Sequence, residues 1–225
     1  MRKAFNDKLL NKETAKYDNG SQTSCILPLY FGIVPDEYKD KVFATLVNNI
    51  ETVTKNHIGT GLIGGQWLNR VLSDNGRVDI SYKFATNDDY PSWGYMVKKG
   101  ATTIWELWNG DTANPAMNSG NHVMLTGDLV IWYYEYLAGI KADTEHPGFE
   151  HILMKPEVAG DLTLVKAEYE SVRGTVKSHW QRTGNQFHWE IEIPPGTTAT
   201  VQVPNGETVK VNSGKHQFNS TLKSF

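Results

Sequence analysis

Tyr90–Asn109 reads YPSWGYMVKKGATTIWELWN, and the rest of the chain is best read outward from it. Three tryptophans, Trp93, Trp105 and Trp108, stand close to one carboxylate, Glu106, with Gly94 and Gly100 between them. Aromatic planes around a single acid suit sugar chemistry. The apolar C–H faces of a pyranose stack on indole rings, and its hydroxyls donate to a carboxylate. Indoles that partly desolvate the acid also raise its basicity, which suits a catalytic acid or base near neutral pH. The same residues equally fit core tryptophans beside a glutamate that caps a helix.

YPSWGYM followed by GATTIWELW resembles the signature around the catalytic base of bacterial α-L-rhamnosidases, the inverting enzymes of glycoside hydrolase family 78. Upstream, SQTSCILPLYFGIVP (21–35) and HIGTGLIGGQWL (57–68) are similar to the preceding helices of that catalytic domain. Downstream, MNSGNHVMLTGDLVIWYYEYLAGI (117–140) is similar to the family's S-x-N-H helix. HPGFEHILMKPEV and the β-rich tail after it resemble the family's C-terminal sandwich. The resemblance covers nearly the whole chain, in order.

The 225 residues suffice for one large or two modest domains, burying roughly 70% of the unfolded surface. A formal net charge of −3 with no basic cluster argues against a nucleic-acid partner. The lone Cys25 excludes an internal disulfide and a cysteine-metal framework. No apolar run approaches the roughly 20 residues that span a bilayer, so no membrane partner is expected. MRKAFNDKLL lacks the apolar centre of a secretory signal, and compartment is left unassigned.

The chain changes period along its length. Residues 1 to about 140 read mostly as helices: Ala4–Leu10, Gln22–Phe31 ending before GIVP, Asp36–Thr54, Leu62–Leu72, Val78–Ala85 and Thr126–Leu137. The last is apolar enough for burial on more than one side. After Thr144 the pattern turns to strands at Asp161–Tyr169, Thr175–Gln181, Gln186–Ile193 and Thr198–Val203. Phe187, Trp189, Ile191 and Ile193 alternate with His188, Glu190 and Glu192, the period of a half-buried strand. RTGN, PPG and PNG supply turns, and Lys141–Pro147 reads as the hinge.

The expected fold is therefore α+β and multidomain. The resemblance implies a partial (α/α)6 barrel over 1–142, holding about half the helices of the ring, followed by a small antiparallel β-sandwich over 143–225. A ring cut in half would expose the apolar faces of its inner helices, favouring self-association.

The resemblance assigns Glu106 as the general base, from the T-T-x-W-E-x-W motif. Ser119, Asn121 and His122 match the S-x-N-H pattern whose histidine contacts rhamnose, so His122 is a substrate-binding candidate. Trp93 and Trp108 are candidates for walls of the sugar pocket, whereas Trp105 is expected to point into the barrel. Leu107 departs from the arginine common between the family's Glu and Trp, which removes a charged partner for Glu106. An inverting glycosidase also needs a general acid, roughly 6.5–9.5 Å from its base. No counterpart of the family's acid motif occurs here, and Asp88, Asp89 and Asp111 read as solvated loop acids. Ser21, Gln22 and Thr23 read as helix-start or packing groups, with Gln22 the one that could reach the pocket.

His57, His146, His151, His179, His188 and His216 show no metal-ligand spacing, and neither a nucleophile elbow nor a phosphate loop is present. No cofactor or metal is expected. The implied partner is a rhamnose-containing glycoside or polysaccharide. Two alternatives stay open. One is a catalytically incomplete carbohydrate-binding or remnant chain without a general acid. The other is a different (α/α)6 enzyme, such as a glucoamylase-like hydrolase or a lyase. An acidic motif upstream of Met1 would favour the enzyme, and a true start there the remnant.

Overall fold

The computed structural model describes residues 1–223, and the side chains of all of these except residues 123–127. The chain divides into two compact units, 1–129 and 130–225.

Unit 1 is helical. It comprises α1 (Arg2–Leu9), a two-residue ribbon of β1 (Leu10–Asn11) and β2 (Lys16–Tyr17), then α2 (Gln22–Tyr30), α3 (Lys39–Asn48), α4 (Leu62–Asp74), α5 (Val78–Thr86), α6 (Trp93–Lys98) and the greater part of α7 (Val123–Trp132), whose last three residues fall in unit 2. The expected helix over 36–54 is one continuous run that changes pitch, from a 3-10 turn at Asp36–Tyr38 through α3 to a π-helical turn at Asn49–Val53. Local chemistry sets the helix starts. Ser21 Oγ accepts the Ser24 N–H at 3.3 Å, and Ser92 Oγ accepts the Tyr95 N–H at 2.9 Å. Each satisfies a backbone donor that the first helical turn leaves unpaired.

Cys25 and Ile26 of α2, Val42 and Leu46 of α3, Leu68 and Leu72 of α4, and Ile80 and Phe84 of α5 form a continuous core. Burial raises the Cys25 thiol above its ordinary pKa, which keeps it an apolar packing group. Helices α2 and α4 cross at Gly64: a Cβ there would lie 2.2 Å from Thr23 Oγ1 and 3.0 Å from the Thr60 methyl. Only a glycine lets the backbones approach this closely.

Several elements differ from the sequence expectation, the strands Ile140–Ala142, His151–Met154, Thr208–Val211 and Gly214–Thr221 of the second unit among them. The 10–17 ribbon and the six-residue α6 are too short for a periodic signal to register. Helix α7 begins three residues before the expected Thr126 and runs into a π-helical turn at Tyr133–Leu137. In this run Trp132 and Tyr136 are buried, whereas Val130 is 44% and Tyr133 39% exposed, so its second half is buried on one side. Burial of its first turn lies outside the described residues.

Unit 2 is a two-sheet sandwich. One sheet is antiparallel throughout, ordered β10-β7-β6-β5, from β5 (Leu164–Ser171), β6 (Gly174–Thr183), β7 (Gln186–Ile193) and β10 (Gly214–Thr221). The other is ordered β3-β4-β8-β9, from β3 (Ile140–Ala142), β4 (His151–Met154), β8 (Thr198–Gln202) and β9 (Thr208–Val211). The expected antiparallel arrangement holds with one exception: β4 and β8 pair in parallel. Between them the chain traverses three strands of the opposite sheet, a crossover long enough to return it in the same direction. The alternation read in β7 is literal. Phe187, Trp189, Ile191 and Ile193 are buried and meet Ile152, Met154, Ala199 and Val201 of the facing sheet.

Buried polar groups in this core are paired. Ser178 Oγ donates to the Ala138 carbonyl at 2.5 Å and accepts the Trp189 indole N–H at 2.9 Å. Trp180 Nε1 donates to the Leu137 carbonyl at 2.7 Å.

Candidate functional site

Glu106 lies in unit 1 on an irregular segment between α6 and α7, not on a helix. The segment is held by a second one, 118–122, through a ladder of hydrogen bonds. The Glu106 N–H donates to the Ser119 carbonyl at 2.9 Å, and the His122 N–H donates to the Ile104 carbonyl at 2.7 Å. The Leu107 N–H donates to Asn118 Oδ1 at 3.0 Å, and Thr103 Oγ1 donates to the Gly120 carbonyl. The Ser119 N–H donates to the Glu106 carboxylate at 2.9 Å, through Oε2. Both the backbone and the side chain of Glu106 are thus tied to Ser119. No donor among the described residues reaches Oε1, and the residue is half-buried.

His122 ends the second segment and immediately precedes α7. Its Nδ1 is buried without a hydrogen-bond partner. The Ser119 hydroxyl closes a small turn beside it, accepting the Asn121 N–H at 3.2 Å.

Trp108 is fixed at two points. Its Nε1 donates to the Thr60 carbonyl at 2.9 Å, and its ring meets Trp93 edge to face, with centroids 5.4 Å apart at 82°. Trp93 is only 6% exposed and belongs to the core of unit 1, with its Nε1 buried and unpartnered. It backs Trp108 instead of presenting a free face. Gly94, next to it, brings α6 onto the preceding loop: a Cβ there would sit 2.4 Å from the Asn87 carbonyl oxygen. The Trp105 indole lies against Gly110, where an added Cβ would fall 2.6 Å from Cδ2.

Two of the neighbouring acids are engaged elsewhere. Asp88 pairs with Lys98 at 2.7 Å, and that ammonium holds the carboxyl below the ordinary carboxylate range. Asp111 accepts the Tyr95 hydroxyl at 3.0 Å and lies 3.6 Å from Lys99 Nζ. Desolvation first, then this bond, raises the Tyr95 phenol above its usual pKa.

The four residues singled out in the sequence therefore fall into two pairs: Glu106 and His122 on hydrogen-bonded segments, and Trp93 in ring contact with Trp108. Sequence reasoning missed the parts that hold them, namely Asn118, the Ser119 N–H and the Thr60 carbonyl. The Asn/Ser/Gly-rich run N-S-G-N signals a turn, but nothing in it says which segment the turn grips. Gln22 is buried behind this region and does not lie on the 104–108 or 118–122 segments. Its amide brackets the 54–59 stretch. Among the described residues no cluster of side chains has the make-up of a metal site.

Residues 1–137 match the bacterial α-L-rhamnosidase 6 hairpin glycosidase domain, and 139–218 match the bacterial α-L-rhamnosidase C-terminal domain. An α-L-rhamnosidase of Formosa agariphila is 34% identical over 228 residues, covering 98% of this chain and 24% of the relative. One from Streptomyces avermitilis is 33% identical over 209 residues, covering 91% and 20%. Among solved structures, the α-L-rhamnosidase from Dictyoglumus thermophilum superimposes with a TM-score of 0.90 at 31% identity, over 98% of this chain and 27% of that one. The Streptomyces avermitilis α-L-rhamnosidase complexed with L-rhamnose gives the same score and identity, over 98% and 23%. The chain spans about a quarter of the length of these relatives. With more than half of its residues matched to the glycosidase domain and most of the rest to the C-terminal domain, the chain belongs to the bacterial α-L-rhamnosidase family of six-hairpin glycoside hydrolases.

Proposed function

We propose that this chain carries the base side of an α-L-rhamnosidase active site, which hydrolyses terminal α-L-rhamnose from glycosides with inversion. Glu106 is the general base: its carboxylate takes a proton from the attacking water as that water reaches the anomeric carbon. The tether at Oε2 supports this reading most directly. One oxygen is anchored by the Ser119 N–H, and the other is left to orient the water. A base held this way loses little freedom when substrate arrives.

His122 and Trp108 bind the sugar. His122, held beside the Glu106 segment by its N–H bond to the Ile104 carbonyl, offers its imidazole to a sugar hydroxyl, and Trp108 offers an indole face locked by Thr60. Trp93 acts by keeping that face in place. Leaving-group protonation needs a second carboxyl group. Asp88 and Asp111 are engaged with Lys98 and with Tyr95 and Lys99, and no counterpart of the family's acid motif occurs in the sequence, so the reading assigns the acid to no residue of this chain.

The test is hydrolysis of p-nitrophenyl α-L-rhamnopyranoside by the purified chain beside Glu106→Gln, with the first-formed anomer read by proton NMR. Turnover to the β-anomer that the variant abolishes is the expected result, since p-nitrophenolate is a stable enough anion to leave without protonation. Equal turnover by both proteins, or release of the α-anomer, would refute it.

A further inference from the structure

We propose that Gln22 is a positioning residue for Trp108, acting through the loop that carries Thr60; the functional weight of this rests on Trp108 being part of the sugar site. Gln22 is 1% exposed on the first turn of α2 and uses both ends of its carboxamide on one loop. Oε1 accepts the Gly59 N–H at 2.9 Å. Nε2 donates to Thr54 Oγ1 at 3.0 Å and to the His57 carbonyl at 3.2 Å. The Gly59 amide thus finds its acceptor in a side chain 37 residues away, not in its own backbone.

The fit is close enough to transmit position. A Cβ on Gly59 would lie 2.9 Å from Gln22 Nε2 and 3.1 Å from the Thr54 methyl, so the loop backbone rests directly on the amide. The next residue, Thr60, is 3% exposed, and its carbonyl holds the Trp108 indole N–H at 2.9 Å. Trp108 in turn meets Trp93 edge to face. Gln22, Gly59, Thr60 and Trp108 form an unbroken series of contacts from α2 to the segment bearing Glu106. A carboxamide is the side chain this role requires, because it donates and accepts in one plane. Glutamate keeps only the acceptor, and leucine keeps neither.

The experiment uses the full 225-residue chain labelled with nitrogen-15. The Trp108 indole N–H resonance is assigned by its loss in Trp108→Phe and followed in Gln22→Glu and Gln22→Leu. The expected result is a shifted Trp108 resonance whose exchange with solvent is about tenfold faster in Gln22→Leu, with a smaller change of the same direction in Gln22→Glu. Trp67, which stacks on Tyr30 in the same unit, is expected to hold its position. Should Gln22→Leu unfold the helical unit, Gln22→Glu decides. An unmoved Trp108 in the folded variants overturns the proposal. Equal movement of Trp67 and Trp108, or unfolding of both variants, would assign Gln22 to general stability and also overturn it. The readout needs neither substrate nor Glu106, so an inactive chain leaves it intact. Conversely, hydrolysis abolished by Glu106→Gln beside an unmoved Trp108 would keep the proposed activity and reject the role of Gln22.

Discussion

Gly64→Ala sets two effects of opposite sign against each other at the crossing of α2 and α4. Alanine in a helix is favoured over glycine by at most about 1 kcal/mol, the interior value, so in the first turn of α4 propensity alone still makes the change stabilising. The tertiary contact opposes it. The new Cβ would lie 2.2 Å from Thr23 Oγ1, more than an ångström inside ordinary contact, and 3.0 Å from both Thr23 Cβ and the Thr60 methyl. Rotating the Thr23 hydroxyl away relieves only the first overlap. Overpacking of this kind costs about 1–3 kcal/mol, so the net expectation is a loss of up to about 2 kcal/mol. Thr23→Ala removes the nearest atom while leaving the Cβ approach. The double variant should therefore recover much of the loss, with a coupling of about 1 kcal/mol. Urea unfolding followed by far-ultraviolet circular dichroism, which reports mainly on the helical unit, measures all three variants. A Gly64→Ala protein more stable than the parent, or a double variant with purely additive effects, would refute the reasoning, since no tight crossing would then exist.

Two further expectations follow from buried and paired polar groups. Ser178→Ala in the sandwich strands both the Ala138 carbonyl and the Trp189 indole N–H; at about 1–3 kcal/mol for each unpaired group, a loss of about 2–6 kcal/mol in urea unfolding followed by tryptophan fluorescence is expected. Asp79 is held below the ordinary carboxylate range, chiefly by its hydrogen bond from Arg77, which also reaches Glu51 at 2.7 Å. A depressed carboxyl contributes stability that is present above its unfolded value, about 3.9, and is lost as pH falls through the folded value. Asp79→Asn should flatten that acid limb when unfolding is measured against pH.

The halves of the fold were legible because each obeys a local period. Val42, Leu46 and Ile50 recur at helical spacing and all reach the core of the first unit, and the alternation of 187–193 is the buried face of β7. The signature around Glu106 was legible as a string of residue types. Its geometry was not, since the hydrogen bonds that build it join residues 13, 37 and 48 positions apart. No periodicity spans such gaps. Sequence by itself determined the change from a helical half to a stranded half, the family, and which acid to suspect. Only the tertiary structure decided that Glu106 is tethered by one oxygen, that Trp93 lies behind Trp108, that β4 and β8 run parallel, and that Gln22 holds a loop. Each depends on which distant backbone group remains to satisfy a buried donor or acceptor, and that is settled only when the elements pack.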